Sequence, residues 1–443
     1  MSWIQRYRLR LFFLNSIWIL PVLGIAAGLI SVWLLNRFER AMGWQMNLSA
    51  ETGRAVMSII ASSMFTLVVV GSSALLVTVQ LAGAQLTPRI ISLVYRVTTR
   101  KIALAAFTFT LTFSVAALVR IDTNVPLLTG YLAAYGFLLN LSFFVFFIDR
   151  MGKALSPNAV LRYVALRGRT VIQEIYPQLL IDNPSTLAEL KPPEGEPTRT
   201  IFNLEDGFVL AFDVKGLFSL GTRSNCLIEV VPEVGNFVAA GDPLFRIFEG
   251  GESVSEATLR DSIALGAERT LEQDPLFSFR IIVDVASKAL SPAINDPTTA
   301  VLAIDQIHHL LREVGKRYLA EGEERDVNGK VRLVYQTPNW EDFVHLAVTE
   351  IRQYGGGSIQ IMRRMRGMLE NLIVNLPDRR RPVLAKELTL LSNAIRRSFP
   401  DVQDQEQAEM SDLQGMGSGH ENRLSSQPLP DGSNLRLSIH STA

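Results

Sequence analysis

One cysteine, Cys226, in a chain of 443 residues excludes a framework of intrachain disulfides. It agrees with a soluble portion kept in a reducing compartment. Net charge is absent as well: 43 basic side chains balance 43 acidic ones, so no basic surplus points to nucleic acid. No nucleophile elbow, zinc-protease histidine pair or dinucleotide fingerprint occurs, and no catalytic residue, metal or cofactor is expected from motifs. The most informative absence is local. From Ala55 to Pro88 there is not one Asp, Glu, Lys or Arg.

Crossing ~30 Å of hydrocarbon takes ~20 residues, so that stretch reads as a membrane-spanning helix. Its polar residues are not scattered. At about 100° per residue, Ser58, Ser62, Thr66, Ser72, Ser73, Gln80, Gly83 and Thr87 fall within about 120° of one another. One side of the helix therefore meets a neighbouring helix or water rather than lipid, and Ser58, Ser62, Thr66, Ser73, Gln80 and Thr87 form a candidate pore-lining or helix-packing stripe. Val69 and Leu76 are expected toward more apolar surroundings.

Four spans can be drawn: about Ile17 to Leu35, Ala55 to Ala82, Ile102 to Val119, and Leu127 to Ile148. The first has an apolar core too long for a signal peptide and no small-residue cleavage site after it, so it is expected to stay as an anchor. Arg6, Arg8, Arg10, Arg89, Arg96, Arg100, Lys101, Arg150 and Lys153 fall on one side of the membrane. Arg37, Arg40, Arg54 and Arg120 fall on the other. This asymmetry puts both termini in the cytoplasm. Trp3, Tyr7, Trp18, Trp33 and Trp44 suit interfacial anchoring. No ionisable residue lies mid-span, which disfavours a coupled pump. Asn140, near the middle of the fourth span, needs a partner on another span.

After Ile148 the composition is that of an ordinary globular protein. The fold class is a four-helix membrane domain (residues 1–150) followed by a cytoplasmic α+β region. A linker and connecting helix (151–200) leads to a small β-hairpin or barrel-like module (201–250). A helical cytoplasmic domain (251–400) and a disordered tail (401–443) follow. The glycine-punctuated strands of the β-module resemble those of biotinyl- and lipoyl-type domains. Lys215 lacks the flanking methionines of a biotin site, so the module reads as structural. Gly216-x-x-x-x-Gly221-Thr222 is a near miss for a phosphate loop and reads as a β-turn. Helices are expected over Pro275–Leu290, Pro297–Tyr318, Glu341–Tyr354, Ser358–Leu376 and Pro382–Phe399, with a strand at Val331–Tyr335.

The sharpest local signal is Ser291-Pro292-Ala293-Ile294-Asn295-Asp296-Pro297-Thr298-Thr299-Ala300. Pro292 ends one helix, and Asp296 caps the next with Pro297 at its first position. A corner between two helices accounts for these residues. A ligand or cation site formed by Asn295, Asp296, Thr298 and Thr299, completed by Arg280 and Asp284, is the functional alternative. Asp305, His308, His309 and His345 are poorly disposed for one ion, since adjacent histidines point about 100° apart on a helix. Arg379, Arg380 and Arg381, beside Arg363, Arg364 and Arg366, read as a solvated face or a contact for anionic headgroups.

Asp274-Pro275-Leu276-Phe277-Ser278-Phe279-Arg280, Val283 to Pro292 and Asn295 to Ala300 together resemble the signature of a bacterial predicted-membrane-protein family, domain of unknown function 2254. Gln80-Leu81-Ala82-Gly83-Ala84-Gln85-Leu86-Thr87-Pro88-Arg89 resembles that family's membrane motif. Leu86-Thr87 stands where the family more often has Phe-Ser, and Ala293 where it more often has Gly. The resemblance implies a multi-pass inner-membrane protein with a cytoplasmic domain, and it brings no activity with it.

Three function classes follow: an oligomeric channel-like or transport protein with a regulatory domain, a membrane-anchored sensor or scaffold without a pore, and a membrane-tethered enzyme. The bilayer and a second copy of the chain are the expected partners. The topology is open to test by cysteine labelling after replacement of Cys226: Glu51→Cys is expected to react from the outer side only, and labelling from the cytoplasmic side alone would overturn the arrangement.

Overall fold

A computed structural model describes residues 2–91, 98–121, 124–154, 156–180, 195–319 and 322–416. Helix α1 (Trp3–Asn15) precedes four long apolar helices: α2 (Ile19–Met42), α3 (Ala50–Gln85), α4 (Thr98–Leu118) and α5 (Leu127–Ala154). Each is long and apolar enough to cross a membrane. A short antiparallel pair, β1 (Gln45–Ser49) with β2 (Asn124–Pro126), joins the α2–α3 and α4–α5 connections.

Helix α4 sits at the centre of the bundle and packs on α2, α3 and α5. Its approach to α2 is set by Gly24 and Gly28, where a Cβ would stand 2.5 Å from the Ala105 carbonyl oxygen and 2.9 Å from that of Phe109. Lipid tails supply no hydrophobic drive between helices, so small residues that let backbones meet supply the packing instead. The Gly24-x-x-x-Gly28 spacing, not singled out in the sequence reading, is the signal for this contact. Phe107 is buried on the other side, with Phe143, Phe144 and Phe147 of α5 at ring-centroid distances of 6.3, 6.1 and 6.3 Å.

Polar groups inside the bundle are satisfied across helices. Asn140 donates to Thr110 Oγ1 of α4 at 2.8 Å and to the Gly136 carbonyl at 2.8 Å, the inter-span bond expected for it. Glu39, buried near the end of α2, accepts from the Leu128 and Thr129 backbone N–H groups and the Thr129 hydroxyl. Its carboxylate thereby caps the N-terminus of α5, where the helix dipole favours negative charge.

Ser156 caps helix α6 (Pro157–Ile175) through the Ala159 N–H at 3.2 Å. The strands and helices that follow are β3 (Arg199–Phe202), β4 (Gly207–Phe212), α7 (Val214–Arg223), β5 (Leu227–Val230), β6 (Phe237–Val238), β7 (Pro243–Phe248), α8 (Glu256–Arg260), β8 (Ile263–Gly266), α9 (Pro275–Ala289), α10 (Pro297–Gly315), β9 (Gly322–Arg325), β10 (Val331–Tyr335), α11 (Trp340–Tyr354), α12 (Ile359–Asn375), α13 (Arg381–Ser398) and α14 (Val402–Glu409). They form two sheets, ordered β3-β7-β5-β10-β9 and β6-β4-β8, and neither closes into a barrel. Buried Val209, Ile228, Phe245, Ile247 and Leu333 fill the space between them.

Three expectations are corrected. The β-region is not confined to 201–250, because β8, β9 and β10 come from later in the chain, and β10 lies parallel to β5 with Leu333 opposite Ile228. Gly216 and Gly221 lie in helix α7, not a β-turn. Asp213 caps that helix at the Gly216 N–H, and a Cβ on Gly221 would meet the Arg332 carbonyl oxygen at 2.6 Å. These glycines serve close approach, which local composition does not distinguish from a turn. The segment after Asp401 is ordered at first: α14 packs on α12 and α13 with Ala408 buried, and Asp412 accepts from the Gln414 and Gly415 N–H groups. Residues 417–443, where disorder was also expected, lie outside the described residues.

Asn140→Leu removes the α4–α5 hydrogen bond and leaves Thr110 without that partner. It is expected to cost about 0.6–2 kcal/mol of bundle stability, read as earlier thermal unfolding in detergent. An unchanged transition would contradict the role.

Candidate functional site

Helix α3 has 36 residues and at ~1.5 Å per residue spans about 54 Å, well beyond the ~30 Å hydrocarbon layer. Its surplus length enters the soluble domain. Val79, Leu86 and Ile90 belong to the same buried cluster as Phe279, Ile282 and Val283 of α9 and Phe343 of α11. The two stretches that carried the family resemblance therefore meet in space, Gly83–Arg89 against α9.

Charged groups lock this junction. Lys288 of α9 donates to the Gly83 carbonyl at 3.3 Å, satisfying the last turn of α3 at the negative end of its dipole. Arg89, just past the helix, pairs with Asp284. Asp284 also accepts from Arg280 Nε at 2.6 Å, and Arg280 donates both terminal nitrogens to the two Glu350 oxygens of α11 at 2.6 Å each. Hydrogen bonds to Glu350 and then to Asp284 outweigh desolvation and raise the Arg280 guanidinium further above its ordinary range. The same bond holds the Glu350 carboxyl below its ordinary range. The stabilisation that Glu350 contributes is therefore present above the unfolded carboxyl value, ~4.3, and is lost as pH falls through the lower folded value.

The structure places the proposed ligand residues in two sets. Asp296 accepts from the Thr299 N–H at 3.1 Å and from the Thr299 hydroxyl, capping α10. Its own N–H reaches the Ala289 carbonyl at 2.8 Å. Asn295 takes φ 46°, the left-handed turn residue of the corner, and both it and Thr298 are exposed. Ala293 carries no positive φ, so alanine costs nothing there. Arg280 and Asp284 lie nine and five residues before Ala289, about 13 and 7 Å back along α9, and bond to Glu350 and Arg89 instead.

The membrane stripe is also resolved. Ser58, Ser62, Thr66, Ser73 and Gln80 are all exposed on the outside of the bundle, roughly opposite the face of Met57, Met64, Gly71 and Leu75 that packs inward. The Thr66 hydroxyl bonds the Ser62 carbonyl at 3.0 Å. Thr87 is buried at the junction. Val69 and Leu76, 46% and 58% exposed, stand on the same outer face as the stripe. On a 100° wheel they project between Ser62 and Ser58.

Two other readings change. Arg363 and Arg364 are buried, with Arg364 paired to Asp305 and beside His308 Nδ1 at 3.3 Å. Arg380 stacks on Trp340 and donates to the Arg317 carbonyl at 3.0 Å. These arginines are packing elements rather than one solvated face. His308 Nε2 meets Asn371 at 2.9 Å, while His345 is 3.9 Å from Glu387. Sequence reading missed Glu350, separated from Arg280 by 70 residues, and no local pattern signals it.

A family described as "Predicted membrane protein", domain of unknown function 2254, matches residues 14–371. Uncharacterised proteins of Mycobacterium tuberculosis and Mycobacterium bovis are each 24% identical to this chain over 88% of its length and 78% of theirs. No solved structure matches.

Asp296→Ala is expected to lower the stability of the soluble domain by about 0.5–2 kcal/mol, with Asp296→Asn restoring most of it because both side chains cap well. Thermal unfolding of the three proteins checks this. An Asp296→Asn protein as unstable as the alanine variant would show that the charge, not the cap, matters.

Proposed function

The chain belongs to the predicted membrane protein family, domain of unknown function 2254, and we propose that it works as a self-associating, channel-like membrane protein. In this reading the α3 stripes of several copies face one another. The observation that carries the reading is the division of α3. Its inner face holds the bundle, its end is built into the soluble core, and its outer face presents unbonded polar side chains at membrane depth. Among the described residues Ser58, Ser62, Ser73 and Gln80 form no side-chain hydrogen bond within the chain. Polar groups facing hydrocarbon are costly, whereas hydroxyl and small residues spaced four apart, as in Ser58, Ser62 and Thr66, pack helices closely.

The soluble domain then acts through α3. Arg89, Asp284, Arg280 and Glu350 tie the helix end to α9 and α11, so a tilt or rotation of α3 is transmitted to both. Val69 and Leu76 on the outer face favour a second reading, a sensor or scaffold whose stripes pack dry against each other without a water path. An enzyme receives least support, since Arg280 already faces two carboxylates of the same chain. Both termini are assigned to the cytoplasm of a bacterial inner membrane. The arginine asymmetry supports this, as does the position of α1 beside β8 of the soluble domain.

Disulfide cross-linking in membranes tests the assembly. In a Cys226→Ser background, Ser62→Cys and Ser73→Cys are expected to yield dimers on oxidation, and Met64→Cys, on the inner face, is not. Absence of cross-links together with a monomer in mild detergent would overturn the proposal. Conductance of the reconstituted protein, lowered by Gln80→Leu, separates the channel from the dry scaffold.

A further inference from the structure

Helix α1 lies between the membrane bundle and the smaller sheet. Its C-terminal carbonyls, Phe13 O and Leu14 O, accept from Lys101 Nζ at the start of α4, at 3.2 and 2.6 Å. The helix end is thereby fixed at the level where two spans enter the bilayer. Leu9 and Phe13 on one face, and Phe12 and Trp18 beyond, are 45–58% exposed, which suits a helix lying in the headgroup layer with its apolar groups toward the acyl chains.

The other face of α1 does not close on the protein. A cavity of about 350 Å³ lies between Tyr7, Arg8, Leu11 and Phe12 of α1 and Leu210 and Leu265 of the sheet. A second, of about 310 Å³, shares Leu11, Asn15 and Leu210 with it. Each is of the size of a small-ligand site, ~300–1,000 Å³. The walls of the first are mostly apolar, and its single charged residue is Arg8, which is exposed and has no ion pair among the described residues. The first cavity, apolar with Arg8 as its one cation and no carboxylate, opens at the bilayer surface and is complementary to a lipid with an anionic head, while Glu268 and Arg269 line the adjoining one. A zwitterionic head would set its ammonium against Arg8.

We propose that the trough between α1 and the β4–β8 sheet binds one anionic phospholipid of the adjacent leaflet. Its phosphate sits on Arg8, and an acyl chain runs over Leu11, Phe12, Leu210 and Leu265. The lipid fills the space beneath α1 and fixes the soluble domain against the membrane. This reading does not depend on the α3 stripe or on self-association.

The test is native mass spectrometry of the full-length protein released from nanodiscs of equal phosphatidylglycerol and phosphatidylcholine. The wild-type chain is expected to retain phosphatidylglycerol in preference to phosphatidylcholine. Arg8→Gln is expected to lower that preference about fivefold, the factor equivalent to ~1 kcal/mol for one arginine at an anionic surface, and Arg8→Lys to keep most of it. Arg6→Gln is the control: Arg6 stands about 160° round the helix from Arg8 and is expected to leave retention unchanged. Leu11→Trp, which fills the trough without altering charge, is expected to abolish retention. No preference in the wild-type protein, equal losses from Arg6→Gln and Arg8→Gln, or full retention by Leu11→Trp would each overturn the proposal.

Discussion

The rest of the structure depends on the excess length of α3. A helix of 36 residues outruns the hydrocarbon layer by ~24 Å, and an apolar helix end cannot be left in water at that length. The chain solves this by burying Val79, Leu86 and Ile90 among the helices of the soluble domain. One rigid element therefore belongs to two cores. A flexible linker after the second span would have separated them, and the pairing of Arg89 with Asp284 would then carry little, since exposed ion pairs contribute only ~0–1 kcal/mol. Here the apolar seat fixes the geometry, and the charges set its register.

Polar groups at membrane depth follow the same logic of satisfaction. Asn140 finds Thr110, Glu39 finds the first N–H groups of α5, and Thr108 of α4 bonds the Pro21 carbonyl of α2 at 3.1 Å. Each of these bonds joins two spans and so orders the bundle. The stripe of α3 differs, because its hydroxyls and the Gln80 amide point away from every other span. That surplus left after intramolecular pairing is what the proposed self-association rests on.

Much of this was legible in the sequence. The four spans, the five long helices and the strand Val331–Tyr335 follow from hydropathy, from turn residues and from the cap at Asp296. What composition could not give was contact at long range. The pairing of β10 with β5 brings together residues about a hundred positions apart, and Glu350 reaches Arg280 across 70. Neither leaves a periodic trace. The stripe was legible as a pattern, but its direction was not, since a helical wheel fixes relative angles and says nothing of which arc the neighbours occupy. Val69 and Leu76 are a different matter, because the wheel itself puts them in the arc of the stripe. Gly216 and Gly221 misled because a glycine that admits a carbonyl and a glycine that turns a chain look alike in one sequence.

The residues around the α9–α10 corner serve the junction first. Arg280 bonds Asp284 through its Nε and both Glu350 oxygens through its terminal nitrogens, so two carboxylates of the same chain already face its charge. Asp284 is likewise shared with Arg89. The stretch that reads most like a signature is thus occupied in holding a membrane helix to a soluble domain. Its residue types, acids and bases one helical turn apart with a proline-capped corner behind them, are those required to make that joint stiff. In the proposed function, stiffness at this point would carry a movement of α3 to α11 and the helices packed behind it.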